Sequence, residues 1–249
     1  MGKGDREKSA REKIREQQAA DRAREQRRKV LTYVSVGVVA VAAVGLGWWY
    51  TASQSASEAA GDTAPTTVQA DGSVAMAKEG VVAPVVDIYE DFQCPVCKQL
   101  EEISGSTFRN LAAEGKAKVV YHPITIFGDD PMKGNSVRAA SAARCVADGK
   151  QWLAYHDLLY KNQPTEGTEG FKIDQLVGWG KDAGVTAPGF DTCVTQQQKA
   201  AAQTAFSDKT IKAQKIQGTP TVKLNGKDMD LGVVSKPTQL RDAVTKAAK

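Results

Sequence analysis

A run of 21 residues without a charged side chain, 30–50, divides this 249-residue chain into two unequal parts. A helix of that length measures about 30 Å, which matches the hydrocarbon core of a bilayer. Trp48, Trp49 and Tyr50 stand at one end, where aromatic rings favour the headgroup region. Arg27–Lys29 stand at the other end, which the positive-inside rule keeps in the cytoplasm. The pattern predicts a single-pass cell-membrane protein with a transmembrane helix or signal anchor over 30–52 and the following domain outside the cytoplasm.

The alternative for this apolar run is a signal peptide that is removed, with the small residues at 53–57 as the cleavage site. Signal peptides have apolar regions of only about 7–15 residues. Because the run here is longer, we predict that it is retained as a membrane anchor.

Positive charge is concentrated ahead of the apolar run. Residues 1–29 hold eleven Lys or Arg side chains against six acids, so the rest of the chain is close to neutral. A near-neutral domain lacks the basic surface that nucleic acids require. We therefore predict a basic cytoplasmic tail over 1–29 and no nucleic-acid partner. Residues 53–77 have almost no large apolar side chains, and this composition predicts a flexible linker.

The remaining residues, 78–249, alternate between strand-like and helix-like patterns. Two β-rich runs, 81–89 and 118–127, flank a helical run, and strand–helix–strand is the unit of a parallel pair. A long helical region at about 130–216 precedes two more strands, which meet at the hairpin signal 225–226. A last helix ends the chain. This order predicts an α/β domain with a helical insertion.

Cys94 and Cys97 are spaced C-x-x-C where the first strand meets the first helix. A thiol at a helix N-terminus faces unpaired N–H groups and the positive end of the dipole, which favour the thiolate. The thiolate is the attacking species in thiol–disulfide exchange. The spacing therefore favours redox chemistry, with Cys94 as nucleophile and Cys97 as the more buried resolving thiol.

The motif has two alternative interpretations. One is a zinc site completed by Cys145 and Cys193, but these two cysteines do not form the second closely spaced pair that is typical of structural zinc. The other is an inert disulfide, which would close too short a loop to stabilise much.

Cys145 and Cys193 lie 48 residues apart in the helical region. A bridge between them would contribute about 4 kcal/mol in the chain-entropy model. We predict a structural disulfide, with a second redox pair as the alternative. The two histidines, His122 and His156, are expected to be packed rather than catalytic. No metal-ligand cluster and no cofactor motif is evident, so neither a metal nor a cofactor is predicted.

The string 89–97 (YEDFQCPVC) and Thr219-Pro220 before a later strand resemble the DsbA-like branch of the thioredoxin superfamily, in particular its membrane-anchored, extracytoplasmic members in actinobacteria. The resemblance covers about residues 78–247. It implies a thioredoxin-like fold with a helical insertion, and a thiol:disulfide oxidoreductase that oxidises cysteine pairs in exported proteins. It also implies a cis-proline at Pro220. The residues that meet the substrate would be Pro95, Val96, Thr219, through its backbone, and Pro220.

The sequence departs from this family at two places. The dipeptide Pro95-Val96 contains no histidine, so we expect a less extreme oxidant than the relatives that carry one. Many relatives keep a buried acid where this chain has Ile88. Asp87 or Glu90 could replace it as proton acceptor; the alternative is that each is an ordinary solvated or paired acid.

The expected partners follow from the resemblance. Reduced exported proteins would be the substrates, and a quinone-linked membrane oxidase such as a vitamin K epoxide reductase homologue would reoxidise the dithiol. Two other functions stay open: a disulfide reductase or isomerase, and a non-catalytic peptide-binding or assembly module with the same fold. No dimerisation segment is evident before the fold, so a monomer is expected.

Overall fold

The computed structural model describes residues 64–248, and their six strands form one mixed sheet. In chain order the elements are β1 (Thr66–Val68), β2 (Val74–Met76), β3 (Val85–Glu90), α1 (Pro95–Ala113), β4 (Lys118–Pro123), α2 (Met132–Ala143), α3 (Gly149–Lys161), α4 (Ile173–Asp182), α5 (Phe190–Thr195), α6 (Ala200–Gln214), β5 (Thr221–Leu224), β6 (Lys227–Asp228), α7 (Leu231–Val234) and α8 (Pro237–Ala247). The predicted tail 1–29, the predicted membrane span 30–52 and the first part of the predicted linker lie outside the described residues. Within 64–248, no helix combines the length and apolar character needed to cross a membrane.

The sheet has the strand order β1-β2-β4-β3-β5-β6. β3 and β4 are parallel and are connected by α1, as the strand–helix–strand pattern predicts. The other neighbours in the sheet are antiparallel. β5 and β6 join through the turn at Asn225 and Gly226, whose φ values of 50° and 77° belong to the left-handed region. The long helical region between β4 and β5 runs from Met132 to Gln214, close to its predicted limits.

The prediction of a flexible linker over 53–77 is wrong for residues 64–77. These residues form the hairpin β1–β2, in which Val74 and Met76 are fully buried. They pair with Tyr121 and Val119 of β4. Composition did not indicate this hairpin, because its side chains are mostly small and its stabilising partner lies more than forty residues later in the chain. The domain therefore begins before residue 78.

Strand β3 separates two groups of buried side chains, because successive residues of a strand point to opposite faces. Val86 and Ile88 belong to the main core, which includes Phe108 and Leu111 of α1. Tyr89 belongs to a second, smaller cluster. β3 starts four residues later than predicted, after Pro84, because a proline cannot donate the N–H that a ladder needs. Glu90, the last residue of β3, shares the face of Val86 and Ile88.

Candidate active site

Cys94 is the N-cap residue of α1, with backbone angles φ −78° and ψ 118°. Pro95 follows at the first helical position, where its fixed φ suits the helix and its missing N–H costs nothing. The Cys94 thiol lies 3.2 Å from the carbonyl oxygen of Thr219 and donates to it. The Thr219–Pro220 peptide bond is cis, as the family resemblance implies. Two segments more than a hundred residues apart are thus brought together at one thiol.

The two thiols of the C-x-x-C motif are free and differ in their environments. Cys94 is 6% exposed and Cys97 is 3% exposed. A hydrogen bond from the Cys97 thiol, together with one from the Thr219 side chain, outweighs burial and lowers the pKa of Cys94 to about 7. Burial raises the pKa of Cys97 well above its usual value, and the adjacent Cys94 acts in the same direction. Cys94 is therefore the thiol that ionises first, and Cys97 stays protonated behind it.

Three of the four residues predicted to meet a substrate contribute to the surface next to Cys94. Pro95 is exposed, and Val96 and Thr219 are half-buried, whereas Pro220 is buried. The structure therefore brings together the predicted catalytic and substrate-binding residues. Cys145 and Cys193 form a separate disulfide that joins the end of α2 to α5, with a Cα–Cα distance of 6.0 Å.

Asp91 is a buried acid of this loop that sequence reasoning missed. Its carboxylate accepts hydrogen bonds from the Gln93 amide at 2.9 Å and the Ser136 hydroxyl at 2.6 Å. It also accepts one from the Ile126 amide at 2.9 Å. Its backbone oxygen accepts the Cys94 N–H at 2.9 Å. Burial, only partly opposed by these hydrogen bonds, raises the pKa of Asp91 to about 6. An aspartate can form an Asx-turn by accepting a hydrogen bond from the backbone amide two residues later. The presence of an aspartate at position 91 was therefore a signal that the sequence offered.

A second contact to the loop comes from the segment that follows α3. The side-chain amide of Gln163 donates to the carbonyl oxygens of Phe92 at 2.7 Å and of Cys94 at 3.0 Å. Gln93 donates in turn to the carbonyl oxygen of Pro164 at 3.3 Å. No pattern in the sequence indicated Gln163. The helical insertion therefore binds the cysteine loop from two sides, through Ser136 on α2 and through Gln163.

The two acids considered as proton acceptors are each paired with a histidine. Glu90 and His156 are both buried, with 2.9 Å between Oε1 and Nε2. Burial alone would lower the pKa of His156, but the charge of Glu90 and hydrogen bonds to Glu90 and Asp157 raise it to about 10. Asp87 accepts a hydrogen bond from His122 at 2.8 Å in a partly exposed position. Both histidines thus occupy packed, hydrogen-bonded positions.

One group within residues 64–248 has the ligand types that a metal ion needs. The ligand atoms of Glu101, His156 and Asp157 lie within 4.8 Å of one another. Arg109 contacts both carboxylates, with 2.5 Å to Asp157 Oδ1. The guanidinium therefore already supplies the positive charge at this position, and the group does not fit a metal site.

Comparison with known proteins agrees with this geometry. The family model described as thioredoxin matches residues 81–244, whereas a comparison with curated protein sequences gives no significant match. Among solved structures, a reduced disulfide bond oxidoreductase (DsbG) from Mycobacterium tuberculosis is 26% identical, with a TM-score of 0.60, over 69% of this chain and 82% of its own. Oxidised DsbA from the same organism is 25% identical, with a TM-score of 0.60, over 75% of this chain and 93% of its own.

A third similar structure is MdbA, a thiol-disulfide oxidoreductase from Actinomyces oris. It is 25% identical, with a TM-score of 0.59, and the match covers 74% of this chain and 95% of its own. The family model spans more than half of the sequence. This chain belongs to the thioredoxin family and is similar to its DsbA-like members.

Proposed function

We propose that this chain is a thiol:disulfide oxidoreductase that oxidises cysteine pairs in exported proteins through Cys94 and Cys97. The observation that carries the proposal is the placement of the two thiols. Cys94 caps a helix beside the half-exposed Thr219 and has a lowered pKa, whereas Cys97 is buried and keeps its proton. Thiol–disulfide exchange through a cysteine pair requires this difference between the two sulfurs. One sulfur forms the mixed disulfide with the substrate, and the other is the leaving group of that step or attacks the mixed disulfide to resolve it.

The reaction begins with Cys94 and Cys97 joined in a disulfide. A substrate thiolate attacks Cys94 Sγ, the Cys94–Cys97 bond breaks, and Cys97 leaves with the electron pair and takes up a proton. A mixed disulfide between Cys94 and the substrate has then formed. A second substrate thiolate attacks the substrate sulfur of that bond, forms the substrate disulfide and releases Cys94 as a thiolate. Two electrons have passed from the substrate to the dithiol.

The environment of Cys94 supports the release step. The second attack is faster when the leaving sulfur is a stable thiolate, and the lowered pKa of Cys94 provides this stability. Thr219 lies beside the reacting sulfur and offers backbone groups to an extended substrate, while Pro95 and Val96 present apolar surface next to them.

A reductase or isomerase is the second candidate, because the pKa of Cys94 is lowered only moderately. The value of about 7 is close to that of thioredoxin and far above the value of about 3.5 in DsbA. The less the thiolate is stabilised, the less oxidising the disulfide becomes. The direction of electron flow therefore depends on the reduction potential.

We also propose that the domain lies outside the cytoplasm, anchored by the apolar run 30–50, and acts as a monomer. The basis for the anchor and its orientation is the length of the run and the positive residues before it. A quinone-linked membrane oxidase of the vitamin K epoxide reductase type would then take the two electrons and restore the disulfide. Labelling of cysteines introduced at either end of the run, in intact cells, tests the orientation.

The decisive experiment measures the equilibrium of the full chain in detergent with reduced and oxidised glutathione. We expect a reduction potential between that of thioredoxin, about −270 mV, and that of DsbA, about −120 mV, and oxidation of a reduced test protein. The Cys94→Ser variant should lose all exchange activity. The Cys97→Ser variant should accumulate a mixed disulfide at Cys94, because the resolving thiol is missing.

Two outcomes would count against the proposal. A potential as low as that of thioredoxin would show that the chain is a reductase. If Cys94→Ser fully complemented a deletion strain, the domain would act as a binding or assembly module without turnover.

A further inference from the structure

Asp91 joins three parts of the domain at the base of the cysteine loop. One carboxylate oxygen accepts the Gln93 amide and the hydroxyl of Ser136 on α2. The other accepts the amide of Ile126, in the segment after β4. The carboxylate is completely buried, so no water replaces these donors if one is lost.

The same residue sets the turn that leads into α1. Its side chain caps the Gln93 amide and its carbonyl accepts the Cys94 N–H, so residues 91–94 form one hydrogen-bonded turn. Such a turn leaves Cys94 little freedom to move relative to Thr219, whose carbonyl accepts the Cys94 thiol. The position of the reactive sulfur is therefore coupled to the Asp91 carboxylate.

A buried negative charge next to a thiol also acts on the thiolate. Like charges disfavour each other most strongly where water is excluded. The Asp91 charge raises the pKa of Cys94, against the hydrogen bonds of the Cys97 thiol and the Thr219 side chain, which lower it. These hydrogen bonds and the aspartate thus act on the same sulfur in opposite directions.

We propose that Asp91 is a positioning residue of the dithiol site, whose carboxylate fixes the turn that presents Cys94 and whose negative charge restrains the Cys94 thiolate. This inference builds on the proposed function, because it assigns a residue that limits how oxidising the Cys94–Cys97 pair can be. Loss of the charge should make the pair more oxidising.

The other ionisable groups near Asp91 are already engaged. Glu90 of β3 is paired with His156 of α3. Arg138 of α2 donates to Asn135 and to backbone carbonyls of the segment after α3. Cys97 of α1 keeps its proton in this range. Titration of Asp91 should therefore act on Cys94 more directly than titration of any of these groups.

The test is the pH dependence of Cys94 alkylation in the reduced full chain, with the modified peptide identified by mass spectrometry. Two interacting acids titrate over a wider range than one, so the wild-type curve should be broader than a one-proton curve. Asp91→Asn should give a one-proton curve with a lower midpoint. Because Asp91 of the wild type is ionised above about pH 6, the shift should appear near neutral pH, as a rise on the order of threefold in the acid dissociation constant of Cys94.

Two further variants separate charge from packing. Ser136→Ala removes one hydrogen bond but keeps the charge, so its curve should stay broad while the Asp91 inflection moves to higher pH. Asp129→Asn removes an exposed acid of the segment after β4 and should match the wild type. In the glutathione equilibrium, Asp91→Asn should shift toward the reduced chain by a similar factor, and Asp129→Asn should not.

The proposal would be overturned if the Cys94 alkylation curve of Asp91→Asn had the same breadth and midpoint as that of the wild type. A one-proton curve with the same midpoint shift in Ser136→Ala, in which the carboxylate is kept, would overturn the role of the charge. If Asp91→Asn does not fold, the Ser136→Ala curve decides, and an unchanged curve would contradict the inference. Alkylation needs no turnover, so a wild-type chain that oxidises no test protein would refute the proposed function without affecting this measurement.

Discussion

At the scale of single residues, the buried pair of Glu90 and His156 is expected to affect the free energy of unfolding strongly. Both side chains are removed from water, and the aromatic rings of the main core surround the imidazole. The contacting rings are Phe92, Tyr121, Trp152 and Tyr160. Removal of one partner from such a pair leaves the other charge uncompensated in an apolar environment.

We predict that His156→Gln lowers the free energy of unfolding by about 3 kcal/mol, measured by urea denaturation. The matched control is Arg241→Gln, which breaks the ion pair to Glu114 on the surface. Exposed pairs contribute only about 0–1 kcal/mol, so the control should change little. Equal losses in both variants would show that burial does not determine the effect.

The same pair predicts a pH dependence of stability. The folded-state pKa of His156, about 10, lies above the ordinary value of 6.5, so the folded chain holds this proton more tightly than the unfolded chain does. The contribution is complete below the unfolded pKa and is lost as the pH rises through the folded pKa. The difference in unfolding free energy between the wild type and His156→Gln should therefore shrink from neutral pH towards pH 10. A constant difference would contradict the raised pKa.

At the scale of secondary-structure elements, the hairpin β1–β2 depends on one close approach of two backbones. Gly149 opens α3 directly against Thr66 of β1, and a Cβ at this glycine would lie 2.0 Å from the Thr66 carbonyl oxygen. The neighbouring residue Asp148 forms a β-bridge with Thr67. The hairpin is thus held between β4 and the start of α3.

We predict that Gly149→Ala displaces the hairpin and costs about 1–3 kcal/mol of stability, with faster amide hydrogen exchange in β2. Gly178→Ala in α4 is the control, because a Cβ there meets nothing within 4 Å. In an open helical position the change to alanine should stabilise the chain by about 0.5–1 kcal/mol. Unchanged exchange in Gly149→Ala would show that the hairpin does not need this contact.

At the scale of the whole molecule, the disulfide between Cys145 and Cys193 ties two helices of the insertion across 48 residues of chain. It contacts neither the turn 91–94 nor Thr219 through any hydrogen bond of the described residues. Its expected effect is therefore on the unfolded chain, whose freedom it restricts.

We predict that the double variant Cys145→Ala/Cys193→Ala loses about 4 kcal/mol of unfolding free energy, while the rate of Cys94 alkylation stays unchanged. Denaturation and alkylation of the same preparation provide both values. If the variant keeps its stability but can no longer be reoxidised, the bridge is a second redox pair.

Much of the fold was predictable because its signals are local. The strand, the C-x-x-C motif and the following helix are neighbours in the chain, and Pro95 marks the start of α1. The Asn225-Gly226 turn likewise needs only its own two residues. Family membership, which the comparison confirms, followed from these local strings together with Thr219-Pro220.

Local patterns in the chain were enough to predict the α/β order, the helical insertion, the pair Cys94 and Cys97, and the family. Three features became visible only in the folded domain: residues 64–77 complete the sheet, Glu90 contacts His156, and Asp91 and Gln163 hold the cysteine loop. The physical reason is the range of the contacts. Secondary-structure patterns arise from residues a few positions apart, whereas a buried polar side chain is stable only where distant elements supply its hydrogen bonds.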